Sequence, residues 1–148
     1  MTRSTVTLRA ATIKDLGFAG QVYLETMRYI TDRLPQFDEG QHMARFAERF
    51  LPDEVNIVVA AGEDIGWPQV SETEHEIFLK QVFLQPACQG RGIGSQLIAD
   101  LIERGRQTRK PIRLGVVKNN PAVQLYRRLG FQLTSEDEFK YYMEKGPD

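Results

Sequence analysis

A mixed α/β sandwich, folded as one domain over residues 1–148, is what this sequence predicts. Three observations point to it. Apolar periodicity switches between two and 3.6 residues along the chain. One central segment is apolar on both of its alternating sets. No linker or internal repeat interrupts the pattern, and the length suffices for a single sizeable core.

The elements follow in order. Residues 5–11, TVTLRAA, alternate and read as a first strand. Thr12 and Asp15 have capping-box spacing. Leu16, Ala19, Tyr23, Met27, Ile30 and Leu34 then recur at steps of three and four, a helix that Pro35 stops. A second helix runs from about Glu39 to Phe50, with Met43, Phe46 and Phe50 on one face. VNIVVAA (55–61) and IGWPQV (65–70) are strands joined by a short acidic turn, GED, and Pro68 makes the second a bulged or edge strand. EIFLKQVFL (76–84) is the two-faced apolar segment, a central strand. Ile93, Leu97, Ile98, Leu101 and Ile102 form the stripe of a third helix. IRLGVV (112–117) is a strand, PAVQLYRRLG (121–130) a short helix ended by Gly130, and FQLT with FKYYME a closing hairpin.

Composition excludes several classes. The longest aliphatic run, IVVAA at 57–61, is too short to span a bilayer, and the first residues carry no apolar secretory core. A single cysteine, Cys88, forms no disulfide framework and fits a reducing cytoplasm. Two histidines, His42 and His75, match no zinc spacing, so no metal is expected. A net charge of −1 gives no general attraction to nucleic acid or membrane. Residues 53–76 nevertheless hold seven acids and no Lys or Arg, while 89–118 hold seven bases against two acids. These runs are either solvated faces or sites for a cation and an anion.

Between the central strand and the third helix lies QGRGIG, with Gly90, Gly92 and Gly94 at every second position. A glycine-rich turn that opens a helix seats phosphate: unpaired N–H groups and the positive end of the helix dipole face the ligand. The spacing does not fit a dinucleotide loop, whose third glycine would fall on Ser95 or Leu97, nor a Walker loop. It reads Q-x-x-G-x-G, Gln89 to Gly94, preceded by Leu84-Gln85-Pro86. This resembles the coenzyme-A signature of the GNAT N-acetyltransferase superfamily. NNPAVQLYRRLGF (119–131) resembles that superfamily's second signature, N-x-x-A-x-x-L-Y-x-x-L-G-F, at every position. The chain is most similar to small bacterial members whose C-terminal strand also reads YYM.

The resemblance implies a mostly antiparallel central sheet of about six or seven strands, helices on both faces, and a splay between strands four and five. It implies transfer of acetyl from acetyl-CoA directly to a primary amine of a small molecule or peptide; a non-catalytic coenzyme-A-binding module is the alternative. Residues Gln89, Gly90, Arg91, Gly92, Ile93, Gly94 and Ser95 would hold the diphosphate. Val82 and Leu84 would offer backbone groups to the pantetheine arm. Asn119 would contact the same arm or serve the turn before the short helix, a role for which Asn120 competes. Tyr126 matches the general acid. No suitable base stands mid-strand, where Phe78 and Lys80 fall, and Glu76 is the nearest choice. The first two helices imply an acceptor side lined by Trp67, Tyr23, Tyr29 and Phe37, the acidic run favours a cationic acceptor, and a homodimer is common in the family.

Overall fold

The computed structural model describes residues 6–31 and 38–148, with side chains at all of these except 27–31. The helix stop at Pro35, together with Leu34 and Phe37, lies outside the described residues, as do the side chains of Met27, Tyr29 and Ile30. Seven strands form one sheet in the order β1-β2-β3-β4-β5-β7-β6. They are β1 (Val6–Ala10), β2 (Asn56–Ala60), β3 (Glu63–Glu72), β4 (Ile77–Leu84), β5 (Ile112–Val117), β6 (Gln132–Glu136) and β7 (Lys140–Lys145). The helices are α1 (Leu16–Thr31), α2 (Glu39–Arg49), α3 (Ile93–Thr108) and α4 (Ala122–Arg128). β4 and β5 are parallel, and the pairs β1–β2, β2–β3, β5–β7 and β6–β7 are antiparallel. The chain divides into two compact units, Met1–Gln69 with Val82–Arg91, and Val70–Gln81 with Gly92–Asp148.

In the first unit the capping box forms. Thr12 Oγ1 accepts from Lys14 N–H and Asp15 Oδ2 from Thr12 N–H, at 3.2 and 2.9 Å. It opens a short 3-10 turn, Ile13–Asp15, that runs into α1. Asp38 starts α2 in the same manner, its Oδ1 accepting from Gln41 N–H at 3.1 Å. The hairpin between β2 and β3 differs from the expected GED turn. Ala61 and Gly62 have φ of 53° and 79°, Ala60 pairs with Glu63, and both acids belong to β3. Two left-handed residues match the right-handed twist of the strands, which fixes the loop at two residues. Pro68 marks no edge, since β3 lies between β2 and β4. The bulge is real: Val58 pairs with Gly66 and Val59 with Asp64, leaving Ile65 as the extra residue. Just past Pro68, which has no N–H to give, Gln69 makes an isolated bridge with Val55.

Trp67 anchors this unit's core. It is 1% exposed, its Nε1 donates to Ala19 O at 3.0 Å, and its ring meets Phe46, Phe50 and Phe83. A buried indole N–H without that partner would be unfavourable. Gly66 allows β3 and β4 to approach closely, because a Cβ there would collide with the Phe83 carbonyl oxygen.

In the second unit, β4 pairs with β5 in register from Ile77↔Ile112 to Leu79↔Leu114, while β4 itself continues to Leu84. Along β4 the hydrogen-bonding side changes. Ile77 N–H donates to Pro111 O, the side of β5, but Gln85 N–H donates to Ile65 O, the side of β3. The α3 helix packs close to β5 at Gly105, where a Cβ would lie 3.2 Å from Ile112 Cδ1. Arg109, at φ 58°, ends α3. Gly130, at φ 100°, follows α4 in the C′ position that the sequence indicates. β7 then inserts between β5 and β6, pairing Ile112↔Lys145 through Val117↔Lys140.

Candidate functional site

The loop after β4 starts with a 3-10 turn, Pro86–Cys88. Cys88 N–H donates to Gln85 O at 2.8 Å and Gln89 N–H to Pro86 O at 3.3 Å. The Gln89 main-chain N–H is therefore committed to the turn, which corrects its place in the expected amide cradle. Its side chain does something separate, with Nε2 donating to Leu84 O at 3.1 Å. Gly90, at φ 76°, and exposed Arg91 follow. Cys88 is half-buried with a free thiol.

Gly92, at φ 80°, is the N-cap of α3 and offers no side chain to cap it. Gln96 N–H donates to Gly92 O at 3.0 Å, the first bond of the helix. The N–H groups of Ile93, Gly94 and Ser95 precede that bond and have no acceptor within the helix. Nothing lies within 4 Å of where a Cβ would stand at Gly90, Gly92 or Gly94. Left-handed backbone accounts for the first two glycines. Gly94 has neither reason; it weakens the helix by about 0.5–1 kcal/mol relative to alanine with no gain in packing. What it provides is a bare, dipole-positive helix end.

Beyond β5, the choice between the two asparagines is resolved. Asn120 Oδ1 accepts from Ala122 N–H at 2.9 Å and serves the turn, leaving exposed Asn119 without that role. Tyr126, on α4, is half-buried with its ring edge-on to Phe131 at 5.7 Å. Burial pushes its phenol above the ordinary value of 10. Glu76 immediately precedes β4, and its Oε2 accepts from Arg113 Nη1 at 3.1 Å. Arg113 also pairs with Glu144.

The two charge runs meet in part. Glu72 accepts from Arg104 Nε at 2.6 Å, Arg104 Nη2 at 3.0 Å and Lys110 Nζ at 2.8 Å, and these cations hold its carboxyl at about 2. Glu76 takes Arg113, Asp64 takes Arg9, and Glu54 accepts from Gln69 Nε2. Glu54, Asp64, Glu72 and Glu76 are therefore engaged within the protein, which weakens the support that the run gives to a cationic acceptor. Trp67, buried in the core, is not a lining residue. Tyr23 stacks on Phe46 at 5.2 Å and meets Phe83 edge-on, as a packing residue does; Phe37 and the Tyr29 side chain lie outside the described residues.

The structure thus joins Leu84 to Gln89 and sets Gly92, Ile93, Gly94 and Ser95 in one helical turn; it commits Glu76 to Arg113. The side-chain role of Gln89 was not visible in the sequence, although Pro86 signals the turn that folds it back. Among the described residues no group of His, Cys, Asp or Glu is arranged to hold a metal ion, and no helix is long and apolar enough to cross a membrane.

Comparisons with known proteins agree with this geometry. The acetyltransferase (GNAT) domain model matches residues 53–133. An uncharacterised N-acetyltransferase of Methanocaldococcus jannaschii is 30% identical over 138 residues, 86% of this chain and 61% of the relative. The spore coat polysaccharide biosynthesis protein SpsD of Bacillus subtilis is 35% identical over 91 residues, 60% of this chain and 31% of the relative. The chain thus spans less than two thirds of the length of these curated relatives. Among solved structures, the PaiA N-acetyltransferase of Thermoplasma acidophilum in complex with coenzyme A superposes with a TM-score of 0.77 at 18% identity, covering 96% of this chain and 99% of that one. A YncA acetyltransferase of Salmonella typhimurium with acetyl-CoA gives 0.63 at 21% identity, covering 97% and 94%. On the domain match, and with a fold shared over nearly its whole length, the chain belongs to the GNAT acetyltransferase family.

Proposed function

We propose that this protein is an acetyl-CoA-dependent N-acetyltransferase that transfers acetyl directly to a primary amine of a small molecule or peptide. One observation carries the reading: the α3 N-terminus bears unpaired N–H groups and a glycine, Gly94, that neither packing nor backbone conformation requires. Two structural neighbours hold coenzyme A or acetyl-CoA, which supports the choice of anion.

The residues fit that donor. N–H groups from Gly90 to Ser95 would take the diphosphate, with Arg91 adding charge. Backbone groups of Val82 and Leu84 would hold the pantetheine arm, and Asn119, released from capping, would meet it. Acetyl-CoA supplies a thioester that a neutral amine can attack. Tyr126 would then hydrogen-bond the departing sulfur and give it a proton. A phenol kept above its ordinary value by burial is fully protonated at neutral pH, which suits an acid. On the acceptor side, a lysine-like amine of pKa near 10.4 needs about 4–5 kcal/mol to lose its proton at pH 7. Glu76 would have to release Arg113 before serving as the base, so a water-borne proton path is the more direct route. Because part of the acidic run is engaged internally, the acceptor is assigned no charge preference.

Incubation with acetyl-CoA and a panel of amines, with detection of free thiol, tests the reading. Amine-dependent thiol release supports it. Thermal stabilisation by coenzyme A with no turnover on any amine favours the alternative, a binding module; no stabilisation at millimolar coenzyme A overturns both.

A further inference from the structure

We propose that Phe131 is a positioning residue: through the cap that ends α4, it fixes where the Tyr126 hydroxyl stands. The inference rests on the acetyl-transfer reading above, in which that hydroxyl protonates the departing sulfur. It follows first from the length of the helix. α4 holds seven residues, Ala122–Arg128, about two turns. Tyr126 is third from its end, in the last turn, where carbonyls lack partners within the helix and the backbone frays. A proton donor at that position needs a hold from outside the helix.

The chain just past α4 supplies it. Gly130 N–H donates to Arg127 O at 3.1 Å, and Phe131 N–H donates to Tyr126 O at 3.0 Å. With Leu129 as the C-cap, these are the two bonds of a Schellman motif, and Gly130 at φ 100° makes the left-handed step between them. Leu129 N–H also reaches the Tyr126 carbonyl, at 3.2 Å. The reversal brings the Phe131 ring edge-on to the Tyr126 ring, with centroids 5.7 Å apart. Phe131 is buried in the core and Tyr126 is half-buried, so the first is the fixed partner of the pair. One residue therefore holds Tyr126 twice, at the backbone by its N–H and at the side chain by its ring. The hydroxyl lies at the far end of the side chain, where a change of rotamer removes it from the hydrogen-bond contact that proton transfer requires. A leucine at 131 would keep the first hold and lose the second. The proposed diphosphate seat at the start of α3 takes no part in this cap, so donor affinity should be spared.

The test asks whether Phe131 acts through Tyr126. Phe131→Leu keeps the N–H bond and loses the ring. Ile57→Val, a buried position in the other unit, is the control for lost stability alone. Gly130→Ala opposes the left-handed step and carries the test should Phe131→Leu fold poorly. Coenzyme-A affinity by calorimetry, kcat with acetyl-CoA and melting temperature are measured for each, in wild type and in the Tyr126→Phe background. Phe131→Leu should keep affinity within about threefold of wild type and lower kcat about fivefold or more, while Ile57→Val keeps kcat within about twofold. In the Tyr126→Phe background the same Phe131→Leu change should alter kcat by less than about twofold, because the group it aims is gone. Unchanged kcat in Phe131→Leu, kcat and affinity falling together, or an undiminished loss in the Tyr126→Phe background overturns the inference and leaves Tyr126 as the acid. Unchanged turnover in Tyr126→Phe alone removes the acid and this inference with it.

Discussion

Replacing Glu72 by Gln removes one carboxylate from beneath two cations, and its effect can be worked from the structure. Glu72 meets Arg104 through two hydrogen bonds and Lys110 through a third, and its carboxyl is held at about 2 against an ordinary 4.5. The folded value lies below the unfolded one, so the stability it supplies is complete above pH 4.5 and is lost as pH falls toward 2. That difference sets a ceiling of about 3 kcal/mol. Arg104 is 58% exposed, and water screens it, which brings the expected loss to about 1–2 kcal/mol. For a chain of this size that is a fall in melting temperature of about 3–6 °C. Thermal and urea unfolding of wild type and Glu72→Gln at pH 7, 4 and 2.5 provide the assay. The gap should be widest at pH 7, narrow steadily on acidification, and shrink in half-molar salt. A gap of equal size at pH 7 and pH 2.5, or none at pH 7, refutes the reasoning.

The other predictions concern turnover and packing. Tyr126→Phe should lower kcat about tenfold or more with coenzyme-A affinity preserved, and any alkaline limb of the wild-type pH–rate profile due to this phenol should lie above pH 10; unchanged turnover removes the acid role. Gly66→Ala should destabilise the protein by about 2–3 kcal/mol in urea titration, because the new methyl meets backbone atoms of Phe83 and Leu84 as well as the Leu84 side chain, and the backbone cannot turn aside; a loss under about 0.5 kcal/mol would show that the strands shift freely. Glu76→Gln should leave the acidic limb of the pH–rate profile in place if a water path removes the proton, whereas loss of an ionisation below pH 8 would establish Glu76 as the base.

What could be read from the sequence was whatever repeats locally. Alternation marks β1 and a run apolar on both faces marks β4; the three-and-four spacing of Leu16, Ala19 and Tyr23 marks α1; Thr12 and Asp15 announce their own capping box. The glycine loop was legible because it breaks the usual rule, placing backbone freedom where no packing asks for it. Other features left no such trace. Ala61 in a left-handed turn goes against its own preference, and only the two-residue hairpin demands it. The bulge at Ile65 moves a backbone without changing composition. The pairing of Glu72 with Arg104 and Lys110 joins residues more than thirty positions apart, so the meeting of part of the two charged runs within the protein leaves no trace in the sequence. The resemblance puts Trp67 on the acceptor side, and its burial and its bond to Ala19 O put it in the core.

The insertion of β7 between β5 and β6 has an effect on how the sheet can open. The outermost ribbon has its backbone pairing with its later-made neighbour, so the chain must return before the segment ahead of it gains a ladder to join. Fraying of Lys140–Lys145 from β5 would carry Gln132–Glu136 away with it, and solvent deuterium should enter the outer amides at least as fast as the inner ones.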